Sequence, residues 1–150
     1  MIRISKNFYL SEFTESETAL RLDIDNNPSC VEVDNITLLV YKVLQPLRDY
    51  LKDYIHITSG FRSDHLNLII GGSKTSDHKT GKAADIKCKN MAKAFKYIAE
   101  NLDYDQLIWE FGNKNQPSWI HVSFKSEGNR RQILQAFKQN GKTKYKIWGY

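Results

Sequence analysis

The stretch SGFRSDHLNLIIGGSKTSDHKTGKAADI, Ser59 to Ile86, gathers two of the chain's four histidines, one arginine, three aspartates and four glycines. Imidazole and carboxylate are the side chains that move protons or hold a transition metal near neutral pH. His78 stands seven positions before Asp85, on a glycine-flanked loop that leads into the run KAADIKC. Alternation in that run sets Ala83, Asp85 and Lys87 on one face and Ala84, Ile86 and Cys88 on the other. In WIHVSF, Trp119, His121 and Ser123 share one face, while Ile120, Val122 and Phe124 supply the core face. A loop-to-strand turn can then bring His78 and Asp85 to one site, with His121 on the same polar side. Two imidazoles and a carboxylate with an open fourth position form a catalytic zinc set, because these donors suit the ion and the open position admits water.

The elements that must position these residues follow from periodicity. Ile36, Leu39, Val40, Val43, Leu44, Leu47, Tyr50 and Leu51 fall at helical spacing, so the region from Val33 to Tyr54 is predicted helical, bent or broken at Pro46. YIHITSGF reads as a strand ending in a turn. Ser63 is the expected N-cap of a short helix over Asp64 to Ile70, closed by Gly71 and Gly72. Met91, Ala94, Phe95, Ile98 and Leu102 mark another helix. DQLIWEF and WIHVSF read as strands, and RRQILQAFKQNGKTKYKIWGY as a terminal pair around the Asn140-Gly141 turn signal. This mixture predicts an α+β fold, a small and mainly antiparallel sheet flanked by helices. His56, inside a strand, and His65, on the short helix, are expected to be packed or surface groups rather than ligands. Cys30 and Cys88 have no metal-ligand spacing and are expected to be reduced packing residues.

With 41% hydrophobic and 26% charged residues the composition is that of a globular protein, and 150 residues suit one domain spanning 1–150. No apolar run approaches the ~20 residues that span a bilayer. Arg3, Lys6 and Asn7 interrupt the opening where a signal peptide would be apolar, so synthesis in the cytoplasm without membrane insertion is expected. A net charge of +5 favours an anionic partner such as an acidic cell-wall polymer. Lys and Arg are spread along the chain and no recognised nucleic-acid motif occurs, so a nucleic-acid binder is disfavoured.

The segments SGFRS, LN, GGS, SDHKTGKAADI and WIHVSF, in that order, resemble the zinc D-alanyl-D-alanine carboxypeptidase family of peptidoglycan peptidases. The signature Ser-x-His-x-x-Gly-x-Ala-x-Asp is present as Ser76, His78, Gly81, Ala83 and Asp85. The opening KNFYLSEFTESETALRLDIDNNP is similar to the phage and prophage branch. The resemblance implies the Hedgehog/DD-peptidase-like zinc fold and one zinc per chain, held by His78, Asp85 and His121. It implies that Arg62 contacts substrate and stabilises developing negative charge, and that Ser76 binds substrate or orients the His78 loop. Several relatives carry an acid three residues before the last histidine; here that position is Ser118. Glu110 of DQLIWEF is the general-base candidate, provided its strand lies beside WIHVSF. The implied substrate is a peptidoglycan stem or cross-link bond involving D-residues, cut by a monomeric phage or prophage endolysin. Such an enzyme is made in the host cytoplasm and released to the wall or periplasm. A non-catalytic peptidoglycan-binding module and a virion tail-associated wall-opening protein of the same fold are the alternatives. Neither carboxypeptidase nor endopeptidase action is singled out by the motifs.

Overall fold

The computed structural model describes residues 1–149. Two short helices, α1 (Ser11–Thr14) and α2 (Glu17–Arg21), precede the main helical stretch. That stretch begins at α3 (Cys30–Leu39), earlier than the apolar period indicates, because Ser29 and Glu32 form a capping box that satisfies the first backbone donors. Cys30 follows that cap directly and is exposed, which corrects the expectation of a packed thiol; Cys88 is half-buried against the core. Pro46 does not break the helix. A π-helical turn, Val40–Leu44, carries the chain into α4 (Gln45–Leu51), with the Gln45 N–H donating five residues back to the Val40 carbonyl. The widened turn leaves Pro46 at the start of the next α segment, where its missing N–H costs least. Lys52 ends the helix in the left-handed region.

Beyond it come β1 (Ile55–Ser59), α5 (Asp64–Ile69), a 3₁₀ turn (Asp77–Thr80), β2 (Ala83–Cys88), α6 (Met91–Asn101), β3 (Gln106–Glu110), β4 (Trp119–Ser123), β5 (Gln132–Gln139) and β6 (Lys142–Ile147). Ser63 caps α5 by accepting from the Leu66 N–H, as its sequence predicts. The terminal pair forms around Asn140 and Gly141, with the final Tyr150 outside the described residues.

The fold is α+β, with one six-stranded sheet in the order β1-β2-β4-β3-β5-β6. Every neighbouring pair is antiparallel except β3 with β5. One sheet face packs on the helices: Ala84, Ile86, Leu107, Trp109, Ile120 and Val122 meet Leu39, Val43, Leu47, Phe95 and Ile98 in a single apolar cluster. Trp148, just past β6, stacks on Trp109 with ring centroids 4.6 Å apart and so fastens the end of the hairpin to that core. The other sheet face carries the polar residues. Among the described residues no helix is long and apolar enough to cross a membrane.

Candidate metal centre and cleft

Asp85 and His121 are directly paired across β2 and β4, and Ser59 at the end of β1 is paired with Asp85 on the other side. Sheet register thus aligns a carboxylate and an imidazole with the loop that leaves β1. His78 reaches them from the 3₁₀ turn before β2. Ser76 sets that turn by accepting from the His78 N–H, and the His78 carbonyl accepts from the Arg62 N–H at 3.1 Å.

Asp85 Oδ1 lies 3.3 Å from His78 Nε2 and 3.0 Å from His121 Nδ1, and the three donor atoms all fall within 4.8 Å of one another. His78 Nδ1 donates to the Gly60 carbonyl at 2.7 Å. That bond assigns the proton to Nδ1 and leaves the Nε2 lone pair facing the cluster, the arrangement in which a backbone carbonyl orients a metal-binding imidazole. Two imidazole nitrogens and one carboxylate oxygen, borne on a rigid sheet and a tied turn, fit a zinc ion in type and number of donors.

Gly60 has to be glycine for packing reasons, since a Cβ there would stand 2.5 Å from the Phe13 carbonyl oxygen. Gly72 is constrained similarly: a Cβ would meet Asn67 Oδ1 at 2.1 Å and Arg62 Nη1 at 2.9 Å. The space it leaves lets buried Asn67 accept from Arg62 Nη1 while donating to the Ser73 carbonyl. Arg62 also donates from Nε to Ser59 Oγ, and its Nη2 stands 3.9 Å from Asp85 Oδ2. Buried Asn26 donates to the Thr14 and Phe61 carbonyls and accepts from the Ser63 N–H, tying the arginine loop to the N-terminal segment. Neither asparagine was singled out by sequence reasoning. The pair LN is the only sequence trace of Asn67, and Asn26 lies unmarked within the opening run that ends in DIDNNP.

Glu110 stands on the same sheet face as His121. Ile108 pairs with His121 and Glu110 with Trp119, so Glu110 is a diagonal neighbour at roughly 7–8 Å in backbone terms. Leu107 and Trp109 point the other way, into the core. Ser118, three residues before His121, is exposed and donates its backbone N–H to the Glu110 carbonyl. His56 and His65 are both exposed and outside the cluster.

The charges of the protein groups shape one another. Burial acts to raise the Asp85 pKa, but its close contacts with the His121 and His78 imidazoles outweigh it and hold the carboxyl well below its usual range. Burial depresses His78. It also acts against a charged His121, yet the Asp85 hydrogen bond and charge, with help from Glu110 and Asp77, raise that imidazole. Burial raises the Glu110 carboxyl to about 7. The Arg62 guanidinium is lowered by burial, with Asp85 partly offsetting the effect.

These groups lie along a cleft of ≈ 820 Å³. Its floor holds the triad and Glu110, and its far wall is formed by Leu134, Lys138, Thr143 and Tyr145 of the β5–β6 hairpin. Asp105, fully buried just before β3, accepts from Arg130 Nε and Nη2 and pairs with Lys125 Nζ at 3.2 Å. Arg130 and Lys125 thereby carry the hairpin's approach to the cleft.

The sequence model of the family described as Peptidase M15 matches residues 6–123. This chain belongs to the Peptidase M15 family. No curated protein matches it. Membership makes the chain a hydrolase of the metallopeptidase class, in a family that depends on zinc, and the His78–Asp85–His121 group is a donor set that could hold the ion. The match ends at Ser123, the last residue of β4, so this M15 peptidase carries its hairpin outside the matched region.

Proposed function

We propose that this M15 peptidase hydrolyses a peptide bond of bacterial peptidoglycan, in a stem peptide or cross-link containing D-residues, and that it acts as a phage or prophage endolysin. The single observation that carries the reading is the convergence of His78, Asp85 and His121 on one spot in a cleft that also holds Glu110 and Arg62. His78, Asp85 and His121 would hold the zinc. Bound there, the ion supplies a Lewis acid that acidifies water and polarises a carbonyl.

Glu110 takes the proton from the attacking water and passes it to the leaving amine. A buried carboxyl that titrates near neutrality suits both halves of that transfer. Arg62 is held by Ser59, Asn67 and Asp85, so its guanidinium is already oriented when the scissile carbonyl oxygen gains charge or a peptide carboxylate arrives. Ser76 orients the His78 turn. The cleft continues past the triad to the hairpin, which favours an endopeptidase that accepts peptide on both sides of the cut. In this role the protein is a monomer made in the host cytoplasm that reaches the wall after the membrane is opened during lysis, and its basic charge favours adsorption there.

The test is digestion of purified peptidoglycan with and without chelator, the new ends being read by mass spectrometry. New amino and carboxyl ends at a D-residue bond, abolished by chelation and restored by zinc, are the expected result. Intact peptidoglycan with zinc-loaded protein would overturn the reading.

A further inference from the structure

Lys and Arg are spread through the sequence, but the acidic residues are not. Residues 124–150 hold seven Lys and Arg against Glu127 alone, while residues 1–123 hold fifteen against sixteen Asp and Glu. The net positive charge of the protein therefore resides in the segment beyond the family match. That segment is not a loose tail. It forms β5 and β6, pairs in parallel with β3, and is pinned at its end by Trp148 against Trp109 and Phe95.

The hairpin also extends the face that bears the candidate metal ligands. Register runs Asp85, His121, Ile108, Leu134, Ile147 in one cross-strand row and Trp119, Glu110, Ala136, Tyr145 in the next. Lys138 and Thr143 pair one step farther along. From β4 to β6 are three strand spacings, about 14 Å at ~4.8 Å each, roughly the reach of four extended residues. Leu134 lines the cleft next to buried Ile108 and gives this track an apolar floor, with exposed Ile147 paired beyond it.

Three cations stand on the hairpin side of the cleft: Lys125, Arg130 and Lys138. The first two are engaged with Asp105. Lys138 makes no ion pair among the described residues. Its Nζ donates to Thr143 Oγ1 at 2.9 Å and lies 5.4 Å from the Phe111 ring centroid, so neutral groups hold it in place. A cation steadied by neutral partners at the end of a peptide-length track is suited to an incoming carboxylate.

We infer that the groove face of the β5–β6 hairpin is a substrate-positioning wall that takes an extended anionic peptide arm, with Lys138 receiving one of its carboxylates. The inference deepens the peptidase reading and rests on it for the direction in which the arm runs. Lys144, paired with Phe137, points from the opposite face of the same hairpin and is not part of the wall.

The test measures equilibrium binding, so it does not depend on turnover. The probes are a cross-linked peptidoglycan tetrapeptide dimer with its D-Glu and diaminopimelate carboxylates free, and the same fragment with those groups amidated. Each is titrated calorimetrically, with chelator present so that the probe is not cut, into the full chain as wild type, Lys138→Gln, Lys138→Arg and Lys144→Gln. The wild type is expected to bind the free acid about fivefold more tightly than the amide, the scale of one exposed charge-assisted hydrogen bond. Lys138→Gln should abolish that preference at an unchanged melting temperature, Lys138→Arg should restore it, and Lys144→Gln should keep it. Preference retained in Lys138→Gln, equal loss in Lys144→Gln, or no measurable binding of either probe at millimolar concentration overturns the inference. A Lys138-dependent preference in a protein that cuts no peptidoglycan would instead sink the peptidase reading and leave the wall standing.

Discussion

His78 donates its Nδ1–H to the Gly60 carbonyl at 2.7 Å, and that single bond decides which imidazole nitrogen faces Asp85. The acceptor is fixed in turn, because Gly60 packs against the Phe13 backbone and the Phe61 N–H donates to the Phe13 carbonyl at 2.7 Å. Gly60→Ala forces a Cβ to within 2.5 Å of the Phe13 oxygen, so the carbonyl must shift and the ring loses its orienting partner. Zinc affinity is expected to fall about 10–100-fold, the usual effect of removing an outer-shell partner. His78→Ala should abolish stoichiometric binding. Competition against a chromophoric chelator measures both, and wild-type affinity in Gly60→Ala would show that the carbonyl orients nothing.

Glu110→Gln keeps the shape of the side chain and removes its capacity to accept a proton. Peptidoglycan cleavage by the zinc-loaded protein should drop at least about 100-fold, while zinc content stays at the wild-type level. Loss of zinc along with activity would place Glu110 among the structural supports of the site instead. The same residue leaves a signature in the metal-free protein. Its folded pKa of about 7 lies above the ordinary 4.5, so between those values the native state holds a proton that the unfolded chain has released. Metal-free stability should therefore decline as pH rises from about 4.5 to about 7, and Glu110→Gln should flatten that slope in urea titrations.

Much of this arrangement was legible because strand alternation assigns faces without knowledge of the partner strand. KAADIKC, DQLIWEF and WIHVSF put Asp85, Glu110 and His121 opposite Ile86, Trp109 and Ile120, and the structure has the same division. What the pattern leaves open is pairing. That β4 inserts between β2 and β3, and that β5 runs parallel to β3, depends on contacts distant in sequence. Asn26 and Asn67 were invisible for a related reason: a buried amide is recognisable only from its partners, and theirs lie on other segments or in a loop. At Pro46 the pattern leaves open how the helix yields, and a π turn accommodates the missing N–H without ending the helical stretch.

Arg62 is buried enough that its side chain is only 14% exposed, and its three anchors leave it little freedom. Arg62→Ala is expected to lower turnover more than about tenfold, since one oriented donor at a developing oxyanion is worth about 3 kcal/mol of barrier. Arg62→Lys should recover little, because a single ammonium cannot reach Ser59 Oγ and Asn67 Oδ1 in the same fork. Full activity in Arg62→Lys would mean that only the charge matters. Steady-state kinetics on a defined cross-linked fragment separates these outcomes.

Asp105 offers a test of stability independent of the metal centre. Its carboxylate is completely buried yet meets Arg130 through two side-chain bonds and the Arg130 backbone N–H, with Lys125 beside it. Burial raises its pKa, but these partners outweigh that and hold it at about 2, below the ordinary 3.8. A depressed folded value means that the contribution is complete above pH ~4 and is lost as pH falls through about 2. Asp105→Asn should cost about 2 kcal/mol near neutrality, because an amide cannot replace an ionised acceptor for a guanidinium fork. The difference between variant and wild type should shrink steadily below pH ~4 in denaturant titrations. A constant difference down to pH ~2 would show that Asp105 acts through packing and not through its charge.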